Sequence, residues 1–144
     1  MSGPPVLWTL VQTAHLARRR LSEVIGEEGI TGPQFGVLAA LLDGDDLSSS
    51  DLARALLVRP QSMAGLVDGL RARGLVVRDG PGGRGQRTVV TLTDEGRAVA
   101  RRVRGRLHDL DGTHVTGLAP AQVAELAALL AQVRDTLDAD AHED

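Results

Sequence analysis

The chain contains no cysteine, lysine, asparagine or tyrosine, and only one tryptophan and one phenylalanine among its 144 residues. Without cysteine there is no disulfide, no thiolate metal site and no thiol-based redox sensor. With so few large aromatics, a core has to be assembled from leucine, valine and alanine. No stretch reaches the roughly 18 consecutive apolar residues of a membrane span, and the N-terminus lacks the layout of a signal peptide. A cytoplasmic protein is the expectation. Catalytic signatures are missing too: no phosphate-cradling glycine motif follows a strand, and no nucleophile motif appears. Neither enzymatic activity nor a cofactor is expected.

What is present is an uneven distribution of charge. The net charge of −3 conceals three regions. Residues 1–46 carry three arginines and six acids, residues 47–106 twelve arginines and five acids, and residues 107–144 one arginine and eight acids. A basic middle between acidic ends points to a polyanion partner for the middle and another role for the ends. All sixteen basic side chains are arginine, which reads as the codon bias of a GC-rich bacterial genome and not as a functional choice.

Periodicity divides the chain into 1–30, 31–96 and 97–144. Near the N-terminus, Leu7, Leu10, Ala14, Ala17, Leu21 and Val24 recur at steps of three and four, one narrow stripe along a helix. Val123, Leu126, Leu130, Val133 and Leu137 repeat the pattern after Pro120, which stands in a helix-opening position. Each stripe suits either packing on the rest of the chain or a helix–helix seam between two copies. The last seven residues, 138–144, read as a solvated, frayed tail.

The middle region carries the most specific signals. Thr31 and Gln34 form a capping box opening a helix through Phe35, Val37, Leu38, Leu41 and Leu42. Ser48 and Asp51 form a second, weaker box for a short helix through Leu52, Ala53, Leu56 and Leu57. Pro60 opens a third, with Met63, Leu66, Val67 and Leu70 inward and Gly74 as its left-handed cap. Leu75–Val77 and Thr88–Leu92 are β-branched runs around a glycine-rich turn. Thr93 then caps a long helix through Val99, Val103, Leu107 and Leu110. The order is helix–turn–helix and then a two-stranded wing, which puts one helix into a DNA major groove and frees the hairpin tip for the minor groove. The expected architecture is therefore mainly α with a small β-wing: a winged helix–turn–helix flanked by N- and C-terminal dimerisation helices.

Candidate contacts follow from chemistry. Arg59, Gln61, Ser62, Ala64 and Gly65 give the third helix a small, hydrogen-bonding outer face, with glutamine matched to adenine and arginine to guanine. Ser48, Ser49, Ser50 and Arg54 stand where the preceding helix would meet phosphates. Arg84 and Arg87, near the wing tip, are candidates for minor-groove insertion.

These residues carry a resemblance. Leu52-Ala53, the helix from Pro60 to Leu70, Arg73-Gly74-Leu75-Val76, Arg78 and Leu92-Thr93-Asp94-Glu95-Gly96 resemble the winged helix–turn–helix of MarR-type bacterial transcription regulators. Thr31–Leu42 and Leu118–Gln122 extend the likeness over essentially the whole chain. The resemblance implies a homodimer with intertwined terminal helices, bound to a pseudo-palindromic operator on double-stranded DNA and usually repressing. Three departures stand out. The wing tip, Gly83-Arg84-Gly85-Gln86-Arg87, has no aspartate to pin its arginines. The cap position before Pro60 is Arg59, which lacks a capping oxygen and should weaken that helix end by roughly 0.5–2 kcal/mol. Gly65 and Gly69 occupy places where relatives often carry phosphate-contacting basic residues. Modest affinity and a shallow salt dependence are expected.

The resemblance also implies a small-molecule effector, often an aromatic anion. Trp8, Gln12 and His15 share one face, Arg18 and Arg19 follow a turn later, and Phe35 lies on the next helix; together they are the candidate lining. Trp8 and Phe35 also suit a plain core role. His108, Asp111 and His114 recur at metal-like spacing but lack a further ligand, so no metal site is expected. An alternative function is a winged-helix module that binds a protein partner through its acidic ends, without specific DNA binding.

Overall fold

A computed structural model of the chain describes residues 2–44, 46–79 and 88–142. Contacts divide it into two compact units, Met1–Gly105 and Arg106–Asp144.

The first unit begins with α1, Val6–Gly26, and α2, Gly32–Gly44. The Thr31 box opens α2 as its sequence dictates: the Gln34 N–H donates to Thr31 Oγ1 at 3.3 Å, and Thr31 N–H donates to Gln34 Oε1 at 3.0 Å. Strand β1, Leu47–Ser48, leads directly into α3, Ser49–Ala55. Ser48 and Asp51 cap α3 reciprocally, both bonds at 3.1 Å. Helix α4, Pro60–Ala72, has proline at its first position, and Arg59 before it makes no capping bond. Strands β2, Val76–Asp79, and β3, Val89–Leu92, pair antiparallel, and β1 joins the far side of β3 in the order β1-β3-β2. Helix α5, Asp94–Asp109, follows.

The core lies inside this unit. Val37, Leu38 and Leu41 of α2, Leu52 of α3, Met63, Val67 and Leu70 of α4, Val90 of β3 and Val103 of α5 are all buried. The register that sets Val76 opposite Leu92 and Arg78 opposite Val90 turns both Val90 and Leu92 inward. Thr93 fastens the base of the sheet to its neighbours. Its hydroxyl donates to the Gly74 carbonyl at 2.7 Å and accepts from Gly96 N–H at 3.0 Å, while its own N–H donates to the Leu75 carbonyl at 3.1 Å. A Cβ on Gly96 would stand 1.9 Å from the Leu75 oxygen, so only glycine fits this crossing.

The second unit holds the end of α5, the short α6, Thr113–Thr116, and α7, Pro120–Ala141. Gln122 accepts a bond from Ala119 N–H at 2.9 Å, half of a capping box, and supports the start of α7. None of the described helices is long and apolar enough to cross a membrane.

The structure corrects several expectations. The short helix does not run through Leu56 and Leu57: α3 stops at Ala55, and Leu57 is exposed in the left-handed region. The sheet has a third strand, too short for any periodicity to announce. The tail is helical as far as Ala141, because nothing in 138–141 stops a helix and Asp138 O still meets His142 Nδ1 at 2.7 Å. The helix from Thr93 ends at Asp109, so His114 lies on α6 and is separated from the His108–Asp111 pair (3.6 Å) by a turn. Gly69 does not face outward; a Cβ there would meet the Gln34 amide at 2.9 Å. A side chain at this position would require the end of Gln34 to shift.

Candidate nucleic-acid interface

Helix α4 is two-faced. Met63, Val67 and Leu70 are fully buried, which forces the residues between them outward. Gln61, Ser62, Ala64 and Gly65 are exposed, and a Cβ built on Gly65 meets nothing within 4 Å. The outer face of the first two turns is therefore low and bare, with hydrogen-bonding groups at Gln61 and Ser62 and the Arg59 guanidinium at its head. A base edge can approach such a face closely.

Ser49 and Ser50 begin α3, half-buried and exposed respectively. Ser48 is half-buried and its oxygen already accepts the capping bond, leaving only its O–H to donate elsewhere. Arg54 is largely exposed and tethered to Asp51 at 2.7 Å. The tether ties the guanidinium to α3, and the half-buried Asp51 carboxylate partly offsets its charge. Arg84 and Arg87 lie outside the described residues.

Four other arginines have structural partners that their sequence neighbourhood does not disclose. Arg78 on β2 reaches Asp68 on α4 at 3.5 Å, joining the wing strand to the helix beside it. Arg73, at the end of α4, donates to the carbonyls of Glu28, at 3.0 Å, and Gly29. Arg102 on α5 grips the Glu28 carboxylate with two bonds of 2.7 and 2.8 Å, which raise the guanidinium pKa above its ordinary value. The turn between α1 and α2 is thus held by α4 and α5 together. The partners are separated by 45 and 74 positions, and no local pattern could pair them. Arg104 likewise clasps Asp43 at 2.9 and 3.0 Å, joining α5 to α2. That bond holds the Asp43 carboxyl below the usual carboxylate range.

The candidate effector residues lie on one side of α1. Trp8 (59% exposed), Gln12, His15 and Arg19 follow at steps of four, three and four, on the opposite side from the Leu7–Leu10–Leu21 stripe. Phe35 is half-buried on α2. A shallow groove on α7 is lined by Leu129, Gln132, Val133, Thr136 and Leu137, and none of the candidate effector residues lines it. It runs along the C-terminal apolar stripe.

Comparisons with known proteins agree with this architecture. A family profile described as the MarR family matches residues 28–85. The HTH-type transcriptional repressor Rv2887 of Mycobacterium tuberculosis is 30% identical over 126 residues, which span 88% of this chain and 91% of that protein. The crystal structure of that MarR family protein in complex with DNA is similar with a TM-score of 0.75 at 28% identity, covering 91% of this chain and 98% of that one. Its complex with salicylic acid gives 0.72 at 29% identity, covering 92% and 98%. The MarR family transcriptional regulator SPO1453 of Silicibacter pomeroyi gives 0.77 at 29% identity, covering 93% and 96%.

Proposed function

The chain belongs to the MarR family of transcription regulators, and from that premise we propose that it is a cytoplasmic, non-enzymatic repressor that binds a pseudo-palindromic DNA operator as a homodimer. The single observation that carries the reading is the face of α4: three fully buried anchors on one side, and Arg59, Gln61, Ser62, Ala64 and Gly65 exposed on the other. In this reading Gln61, Ser62 and Arg59 contact base edges, and Ala64 and Gly65 give them clearance. Ser48, Ser49, Ser50 and Arg54 meet phosphates, and Arg84 and Arg87 reach the minor groove from the wing.

A second copy of the chain is the natural cover for the terminal helices. Leu7, half-exposed, lies on the α1 stripe, with Leu10 and Leu21 beside it. Leu126, Leu130 and Leu137 are exposed on α7, with Val123 and Val133 on the same stripe. The effector is a small aromatic acid held by Trp8, Gln12, His15, Arg19 and Phe35, a ligand class supported by the complex of the mycobacterial relative with salicylic acid. Trp8, the sole tryptophan, reports it directly by fluorescence.

Gel shift with DNA from upstream of the gene, titrated with salt, tests the proposal. The expected result is strong preference over random DNA, and Gln61→Ala relaxes the preference at one base position per half-site by about 1–3 kcal/mol. Equal, weak binding of specific and random DNA would overturn it.

A further inference from the structure

Among the described residues four hold a positive φ: Gly29, Gly74, Gly117 and Leu57. Three are glycine, as expected where a Cβ is penalised. Leu57, at φ 56°, is the exception.

Its backbone setting is nearly the same as that of Gly74. At the end of α4, Leu75 N–H bonds the Leu70 carbonyl and Gly74 N–H bonds the Arg71 carbonyl, both at 3.0 Å. At the end of α3, Val58 N–H bonds the Ala53 carbonyl at 3.0 Å and Leu57 N–H bonds the Arg54 carbonyl at 3.3 Å. Both are Schellman caps, which place a left-handed residue at the same point and ordinarily use glycine there. The chain follows that preference once and departs from it once, so backbone geometry does not explain the leucine.

Packing does not explain it either. Leu57 is 55% exposed. The neighbouring Leu56 supplies the inward contact, its Cδ2 lying 3.3 Å from where a Cβ on Gly36 would stand. The location of Leu57 is more telling. It sits on the link between α3, with its outward Ser50 and Arg54, and the head of α4, two residues before Arg59. Both neighbours of the link belong to the face that meets DNA.

We propose that Leu57 is a specificity-determining DNA contact, its isobutyl group packing on the C5-methyl of a thymine beside the bases reached by Arg59 and Gln61. The inference rests on the DNA-binding reading. A thymine methyl is the apolar feature of the major groove, and an exposed leucine on the link just before α4 matches it. The left-handed backbone is the strain accepted to present that side chain, and strain of this kind concentrates at functional positions.

Deoxyuridine scanning tests the proposal. Each thymine of a bound operator is replaced in turn by deoxyuridine, which removes only the methyl group. For the unaltered protein one thymine per half-site should show a loss of roughly fourfold, the burial of about one methyl group. Leu57→Gly and Leu57→Asn, both compatible with a left-handed backbone, should bind the thymine operator correspondingly more weakly and lose sensitivity at that position. Their melting temperatures should be no lower, and the slope of affinity against salt should not change, since no charge is removed. Leu57→Met should retain both affinity and sensitivity. If the unaltered protein binds specifically and Leu57→Gly shows the same affinity and the same deoxyuridine profile, the Leu57 proposal is overturned while the functional reading stands. If the unaltered protein does not distinguish operator from random DNA, both fall.

Discussion

The helices that build the winged lobe and the helices that end the chain treat similar residues in opposite ways. Most leucines and valines of α2 to α4, with Val99 and Val103 of α5, are buried in one core, and Leu42 and Leu66 are half-buried at its edge. By contrast, α1 buries one of its 21 residues and α7 none of its 22, although both carry apolar stripes as regular as any in the lobe. The difference teaches that a helical stripe specifies a contact without specifying whose. In the lobe the stripes face one another across short connections. In α1 and α7 they remain open, in the manner of half an interface.

The strongest way to break this contrast is to put charge into both open stripes. Leu10→Asp combined with Leu130→Asp should give monomers by size-exclusion chromatography. Operator affinity should fall by about 10²–10⁴-fold, because two half-sites no longer act together. A dimeric, fully active double variant would show that the stripes have another use.

A smaller effect sharpens the contrast within that monomeric background. Leu70→Ala, in the core, should lower stability by about 2–5 kcal/mol in urea unfolding, through lost burial and the cavity left behind. Leu126→Ala, on the open stripe, should change it by no more than about 0.5 kcal/mol. Equal costs would mean that the α7 stripe is covered by its own chain.

The smallest effect concerns the polar ties of the lobe. Asp43 has its pKa lowered by the bond from Arg104, so the folded state binds its proton less readily than the unfolded chain does. The stabilisation is present above the unfolded pKa and is lost as pH falls through the lower, folded value. Acid titration of stability should therefore show a component in that window, and Asp43→Asn should remove it. The pair is exposed, so the component is small.

Much of the lobe was legible because its signals are local. Thr31 with Gln34, Ser48 with Asp51, Pro60, Gly74 and Thr93 each act within four residues, and each marks a helix end in the structure. The face of α4 was legible for the same reason, since inward and outward residues alternate on one helix. What escaped notice depends on distance or on an exception. Arg102 and Glu28 meet only because the fold brings α5 to the α1–α2 turn. Leu57 takes a glycine's backbone conformation without being one, so no residue type marks the end of α3 at Ala55.

Thr93 has a consequence for how such a protein can change over generations. By tying itself to Gly74, Leu75 and Gly96, it closes the base of the wing independently of what lies between the strands. The hairpin is then an exchangeable cassette. Lengthening the chain between Asp79 and Thr88 adds only a slowly growing closure cost, about 0.6 kcal/mol for each doubling. New tip sequences can be tried against new DNA while the body that displays α4 stays as it is.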